Sequence, residues 1–222
     1  MREKDQIDRR RFLKVSAAFT CGFSATTFLP QPTTASARSP EDEHPNVIGP
    51  RAGYSPQSGT LVSMLNWMRS VVLSSVHGLT VEQLDYLHDA KANTIGALLL
   101  HLAATERFYQ IHTFEGKKWN DWDEKETKRW GVASGLGEAA RKGIKGNDLR
   151  FYLDSLREVR EQTLVKLRKR DDEWLMKVDP DWTWGPTNNY CKWFHVCEHE
   201  SNHNGQIKWL KNRMPGATES QE

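Results

Sequence analysis

The chain has 222 residues, 37% hydrophobic and 27% charged, with a formal net charge of +2. That suits one domain with a sizeable core and leaves no room for a second of ordinary size. The weak net charge gives no basic stripe for phosphate contacts, which excludes nucleic acid as an expected partner.

In chain order, the first element is an export signal. Asp8-Arg9-Arg10-Arg11-Phe12-Leu13-Lys14 follows the twin-arginine pattern with Arg9 and Arg10 as the pair. A mildly apolar run from Val15 to Leu29 follows, then small residues Ala35-Ser36-Ala37 where a signal peptidase can cut. The run is shorter than the roughly 20 residues that span a bilayer, so processing leaves no membrane span. The reading is a signal peptide over 1–37, a mature chain from about Arg38, and a periplasmic or secreted location. Residues 1–37 hold six of the 31 basic and three of the 29 acidic residues, so the mature chain keeps 25 and 26 and is near neutral.

Residues 38–58 carry Pro, Ser and Gly without periodicity and read as a flexible arm. A first long helix is predicted from about Gln57 to His77, with Leu61, Met64, Leu65, Met68, Val72 and Leu73 on one stripe. Thr80-Val81-Glu82-Gln83 is a capping box opening a short helix around Leu84 and Leu87. Thr94 caps the second long helix, which runs through Ile95, Leu98, Leu99, Leu102 and Phe108 with His101 in the middle of its apolar sequence. The connection over 115–147 is too long for a tight turn and needs a crossover or a lid. A third helix spans about Asp148 to Arg170, capped at Asn147 or Asp148, with Leu149, Tyr152, Leu156, Val159, Thr163 and Leu167 on one face. A loop rich in Trp and Pro leads into the fourth, about Thr187 to Arg213, stopped by Pro215-Gly216. Four long helices without a convincing strand make an all-α four-helix bundle over 59–214, followed by a disordered tail over 215–222.

Cys191 and Cys197, on one helix, would have Cα atoms about 9 Å apart along its axis and on different faces, beyond disulfide reach. No disulfide is expected.

The chemistry concentrates in the fourth helix. His199-Glu200-Ser201-Asn202-His203 matches H-E-x-x-H, the zinc-protease signature. Residues at i and i+4 share a helix face about 5–6 Å apart, so both imidazoles can reach one ion. The protease reading fails on the third ligand: the downstream positions that would carry Gly and His are Gln206 and Trp209, and 19 residues follow His203, leaving no later helix. A third ligand must come from upstream. Of the eight histidines, His101 alone sits at the centre of an apolar helix, where an unpartnered imidazole costs about 1–3 kcal/mol. His195 is also four residues from His199 but eight from His203, so the pair is either His195/His199 or His199/His203. Glu200, about 100° from His199 and 60° from His203 on the wheel, is the candidate proton shuttle bordering an open position. Gln206 shares the histidine stripe and is the candidate to hydrogen-bond a ligand or substrate. Glu106, one turn past His101, is a weaker supporting candidate.

The run Asn93-Thr94-Ile95-Gly96-Ala97-Leu98-Leu99-Leu100-His101-Leu102-Ala103-Ala104-Thr105-Glu106, with His195-x-x-x-His199-x-x-x-His203-Asn204-Gly205-Gln206-Ile207, resembles the DinB-like (YfiT-like) superfamily of metal-dependent enzymes. The resemblance covers about Gly59 to Arg213. It implies a four-helix bundle with one divalent metal, zinc or nickel, on His101, His199 and His203, an open position for water, and a homodimer. It further implies a metal-dependent hydrolase or thiol S-transferase acting on a small molecule, the other possibility being a non-catalytic metal-binding or interaction module of the same fold. The twin-arginine signal is a departure from that family's pattern. Three neutral histidines leave an ion its full double charge, so bound water could ionise near pH 7 or a substrate thiol could bind as thiolate.

Overall fold

The computed structural model describes residues 45–217. The expected signal peptide and cleavage site lie outside the described residues, as do the first part of the arm and residues 218–222 of the tail.

The first long helix, α1, spans Pro56–Val76. Its free N–H groups are capped by a side chain far along the chain: the Asp172 carboxylate accepts from the backbone N–H of Gln57 at 3.1 Å and of Ser58 at 3.2 Å. Leu61, Leu65, Met68 and Val72 of the expected stripe are buried, whereas Leu73 lies on the solvent side at 38% exposure. Part of the expected flexible arm is docked: Trp67 donates to Asn46 and Gly49 donates to Ser63 of α1. The short helix α2, Val81–Leu84, forms with both halves of the capping box, but Leu87 beyond it is exposed.

The second long helix, α3, spans Ile95–Glu115, capped by Thr94 at one end and closed by Gly116 in the left-handed region at the other. The crossover that follows holds two further helices, α4 (Glu124–Gly135) and α5 (Gly137–Gly143). Helix α4 packs onto α3, and α5 packs onto α4. Sequence periodicity misses them because each is short and contains Gly, with only Trp130 and Ala133 buried on α4 and Ala140 on α5. The third long helix, α6 (Leu149–Leu167), takes Asp148 as its cap and buries Tyr152, Leu156, Val159, Thr163 and Leu167. A short helix, α7 (Asp172–Met176), precedes a ribbon that was not expected: β1 (Val178–Asp179) pairs antiparallel with β2 (Thr187–Asn188). Two-residue strands carry no readable alternation. Lys192 ties this ribbon to the bundle, its Nζ lying 2.7 Å from Asp179 Oδ2 and 2.9 Å from His112 Nε2. The fourth long helix, α8 (Asn189–Lys211), starts two residues later than expected because Thr187 and Asn188 belong to the ribbon, with Asn188 as its cap.

Around the bundle the long helices follow the order α1, α8, α3, α6. The buried apolar side chains form two clusters. One is built on Val72, Leu98, Leu102, Tyr152, Leu156 and Ile207, the other on Leu61, Leu65, Tyr109, Trp193 and Val196. Charged residues fall between the clusters on every long helix: Arg69 on α1, Glu106 on α3, Arg160 on α6 and Glu200 on α8, all buried. Among the described residues no helix is long and apolar enough to cross a membrane. Cys191 and Cys197 are free thiols.

Candidate metal centre

His101 on α3 and His199 and His203 on α8 meet across the groove between those helices. His101 Nε2 lies 2.9 Å from His199 Nε2, and His199 Nε2 lies 3.1 Å from His203 Nε2. Among the described residues these three form the group whose ligand atoms, all within 4.8 Å of one another, could hold an ion. Bonds of 2.0–2.1 Å at tetrahedral angles need nitrogens about 3.3–3.4 Å apart, a few tenths of an ångström more than the two separations from His199.

The outer nitrogens explain why the inner ones converge. His101 Nδ1 is 2.9 Å from the carbonyl oxygen of Ala133, which can only accept, so Nδ1 carries the proton and Nε2 presents a bare lone pair. His203 Nδ1 is 3.2 Å from Gln206 Oε1, whose own amide nitrogen donates to Asn202 Oδ1. His203 Nε2 is therefore bare too. His199 has one Nε2 proton at most to share between two facing lone pairs, so the cluster is short of positive charge and fits a cation. Burial keeps the rings neutral. Desolvation brings His101 down to about 4 and His199 to about 3, with the neighbouring imidazoles adding to the fall at His199, and it lowers His203 as well. Neutral imidazole is the form that ligates.

The other sequence candidates occupy different positions. His195 lies on the far side of His199 from His203, bonded to Glu198 at 2.8 Å and edge-on to Trp184. It takes no part in the cluster, and the pair that meets His101 is His199/His203. His112 belongs to the Lys192–Asp179 clamp. Gln206 orients His203, as its place three residues on suggests.

Glu200 has a setting unlike the expected one. A carboxylate bordering an open position should be accessible, yet Glu200 is 1% exposed and its Oε1 accepts from Arg69 Nη2 at 2.6 Å and Arg160 Nη2 at 2.7 Å. Both guanidinium groups bond the same oxygen and hold the carboxylate in the core, away from the open position that a shuttle must border. The 60–100° that separates it from the ligand face turns it into the core. Glu106 faces the same two arginines, and their charge holds its carboxyl below the usual range despite complete burial.

A family model, mycothiol-S-transferase, matches residues 60–216, the stretch that includes His101, His199 and His203. The chain belongs to the mycothiol-S-transferase family. This is a family of the DinB/YfiT-like fold, as the ligand pattern suggested, and its members are of a metal-dependent thiol S-transferase type. Among solved structures the chain is similar to a conserved protein from Enterococcus faecalis, with a TM-score of 0.53 and 16% identity, covering 69% of this chain and 94% of that one. That likeness supports the bundle fold alone. No curated protein matches the sequence.

Within this mycothiol-S-transferase fold, two features escape sequence reasoning. The Ala133 carbonyl orients His101, but a backbone oxygen leaves no mark in the residue type. The second is a pocket bordered by Gln206, the partner of His203, and lined by none of the three histidines. It has a volume of about 590 Å3 and is lined by Asn93, Leu98, Asn202, Gln206, Trp209 and Leu210 among others. Its residues come from the loop before α3, from α3 itself and from α8, and only the packing of those elements brings them together.

Proposed function

We propose that this protein is an exported, metal-dependent S-transferase. It joins a low-molecular-weight thiol, mycothiol or another of its class, to a small electrophile. The observation that carries the reading is the convergence of three neutral imidazoles, two of them presenting bare Nε2 lone pairs, in a chain of this family. His101, His199 and His203 would hold one divalent ion, zinc or nickel. Such an ion supplies positive charge that lowers the pKa of an approaching thiol or water toward neutrality.

The chain's own residues do the rest. Ala133 and Gln206 fix the two outer imidazoles by their Nδ1 protons and so keep the ligating tautomer. Desolvation keeps the rings neutral well below pH 7. The neighbouring pocket, within the 300–1,000 Å3 common for small-molecule sites, offers Trp209 and Leu98 as apolar walls and Asn93, Asn202 and Gln206 as polar ones. We assign the substrate's organic portion to it. The Arg9-Arg10 signal supports export, and the twin-arginine route carries folded proteins, which suits metal loading beforehand.

The test is metal analysis of untagged protein followed by transfer assays with a thiol and a chromogenic alkyl or aryl halide. One equivalent of metal is expected, with transfer abolished by a chelator and by His101→Ala with His199→Ala. Absence of stoichiometric metal, or transfer unaffected by the double change, would overturn the reading. Metal bound without transfer to any thiol would identify a binding module instead.

A further inference from the structure

The four charges at the waist of the bundle form a closed square, one from each long helix. Arg69 (α1) donates through Nη2 to Glu106 at 2.8 Å and through Nε and Nη2 to Glu200 Oε1 at 3.1 and 2.6 Å. Arg160 (α6) donates through Nε and Nη2 to Glu106 at 2.8 and 3.2 Å and through Nη2 to Glu200 at 2.7 Å. The remaining Nη1 groups make a reciprocal pair: Arg69 donates to the carbonyl of Leu156 on α6 at 2.7 Å, and Arg160 donates to that of Leu65 on α1 at 2.6 Å. Thr163 adds a bond to Glu106 at 2.6 Å. Two positive and two negative charges cancel, and apolar clusters lie on either side.

Net stability is a poor reason for such a layer, because replacing a complete buried ion network with apolar residues is often neutral or stabilising. What the square provides is direction. Hydrogen bonds to fixed guanidinium forks set the rotation of a helix about its axis, which apolar packing sets only loosely. The two helices that carry the glutamates are the two that carry the metal ligands, α3 and α8. The two that carry the arginines carry no ligand. Glu200 sits between His199 and His203 on α8, and Glu106 follows His101 by five residues on α3, about 140° round the wheel. With the glutamates pinned inward, the histidines have one direction left, the groove where their nitrogens converge.

We infer that Arg69 and Arg160 are positioning residues of the metal centre, acting through Glu106 and Glu200. The inference rests on the metal reading above. Two variants separate it from a role in stability alone. The fourfold change Arg69→Met, Glu106→Leu, Arg160→Met and Glu200→Leu removes the square without stranding a charge. Arg160→Lys keeps the charge but cannot bridge both carboxylates and a carbonyl as a planar fork does. Zinc affinity is measured by competition with a chromophoric chelator, coordination by the visible bands of the cobalt(II)-substituted protein, and folding by thermal melting.

The fourfold variant should melt cooperatively while losing about tenfold or more in zinc affinity and changing its cobalt bands, the size of effect seen when ligand-orienting groups are removed. Arg160→Lys should show the same change to a smaller degree. A folded fourfold variant with wild-type affinity and bands overturns the inference. If that variant does not fold, Arg160→Lys decides alone: unchanged affinity and bands overturn it. Should the wild-type protein itself take up no metal, the metal reading fails and the positioning role with it. A metal-binding wild type beside an equally competent variant defeats only the positioning role.

Discussion

Metal uptake by this centre should displace few protons even in mild acid. Three ordinary imidazoles with pKa near 6.5 would each be about three-quarters protonated at pH 6, and an ion binding to all three would expel about two protons. Burial brings His101 to about 4 and His199 to about 3, and it lowers His203 in the same direction. At pH 6 the first two would then carry no more than about one per cent of a proton each, and the total released should fall below about one. A bound water of pKa near 7 adds only about a tenth. The assay is calorimetric titration of zinc into metal-free protein at pH 6 in buffers of different ionisation enthalpy. The slope of observed heat against buffer enthalpy counts the protons. Two or more would refute the desolvated, neutral cluster described above. The same shifts make the metal-free fold sensitive to acid. The unfolded chain binds protons on these histidines as pH falls through 6.5, whereas folded His101 does so only near 4 and His199 near 3. Their contribution is therefore intact above pH 6.5 and is lost progressively below it. The loss is about 1.4 kcal/mol per pH unit per histidine, or at most about 3 kcal/mol from His101 by pH 4, less what partial exposure screens.

The remaining predictions test the pocket, the packing and the processing. Gly205 lines the pocket, and a Cβ there meets nothing within 4 Å, so Gly205→Trp should fill the cavity; KM for the electrophile should rise by about tenfold, roughly 1.4 kcal/mol, with metal content unchanged, and an unaltered KM would remove the substrate from this pocket. Gly96 on α3 faces Tyr152 on α6, and an added Cβ would sit 2.6 Å from Oη and 2.7 Å from Cζ. Gly96→Ala should destabilise by about 1–3 kcal/mol through overpacking, despite alanine's better helix propensity, and an unshifted melting temperature would contradict that close approach. N-terminal sequencing of exported protein should begin near Arg38, and an intact Met1 in the periplasm would end the signal-peptide reading.

The bundle was legible because its long helices carry apolar residues at helical spacing and, α1 apart, a side-chain cap at the right offset. Thr94 and Asp148 do cap their helices, accepting from Ala97 and Phe151. Helix α1 shows the limit, since its cap is Asp172, more than a hundred residues away. The histidine cluster was readable for a related reason: the His199/His203 spacing is itself geometry, and His101 is a polar group that an apolar helix must account for. Helices α4 and α5 left little trace because they each bury only one or two side chains, α4 packing on α3 and α5 on α4.

Glu200 is the instructive residue, because its place on the wheel left it free to face either the open position or the core. A carboxylate 60–100° from the ligand stripe goes wherever its charge is best compensated, and that depends on the height at which other helices present cations. Arg69 lies 131 positions away in sequence and Arg160 lies 40 away, separations at which no local pattern links them. Once both guanidinium groups are at that level, leaving Glu200 outside would strand two buried positive charges against one carboxylate, Glu106. Truncating one partner of such a network typically costs about 3–5 kcal/mol, so the core claims the residue. The same five-residue string, His199-Glu200-Ser201-Asn202-His203, that in a metalloprotease places Glu beside the ion here divides between two faces of α8, imidazoles toward the groove and carboxylate toward the arginines.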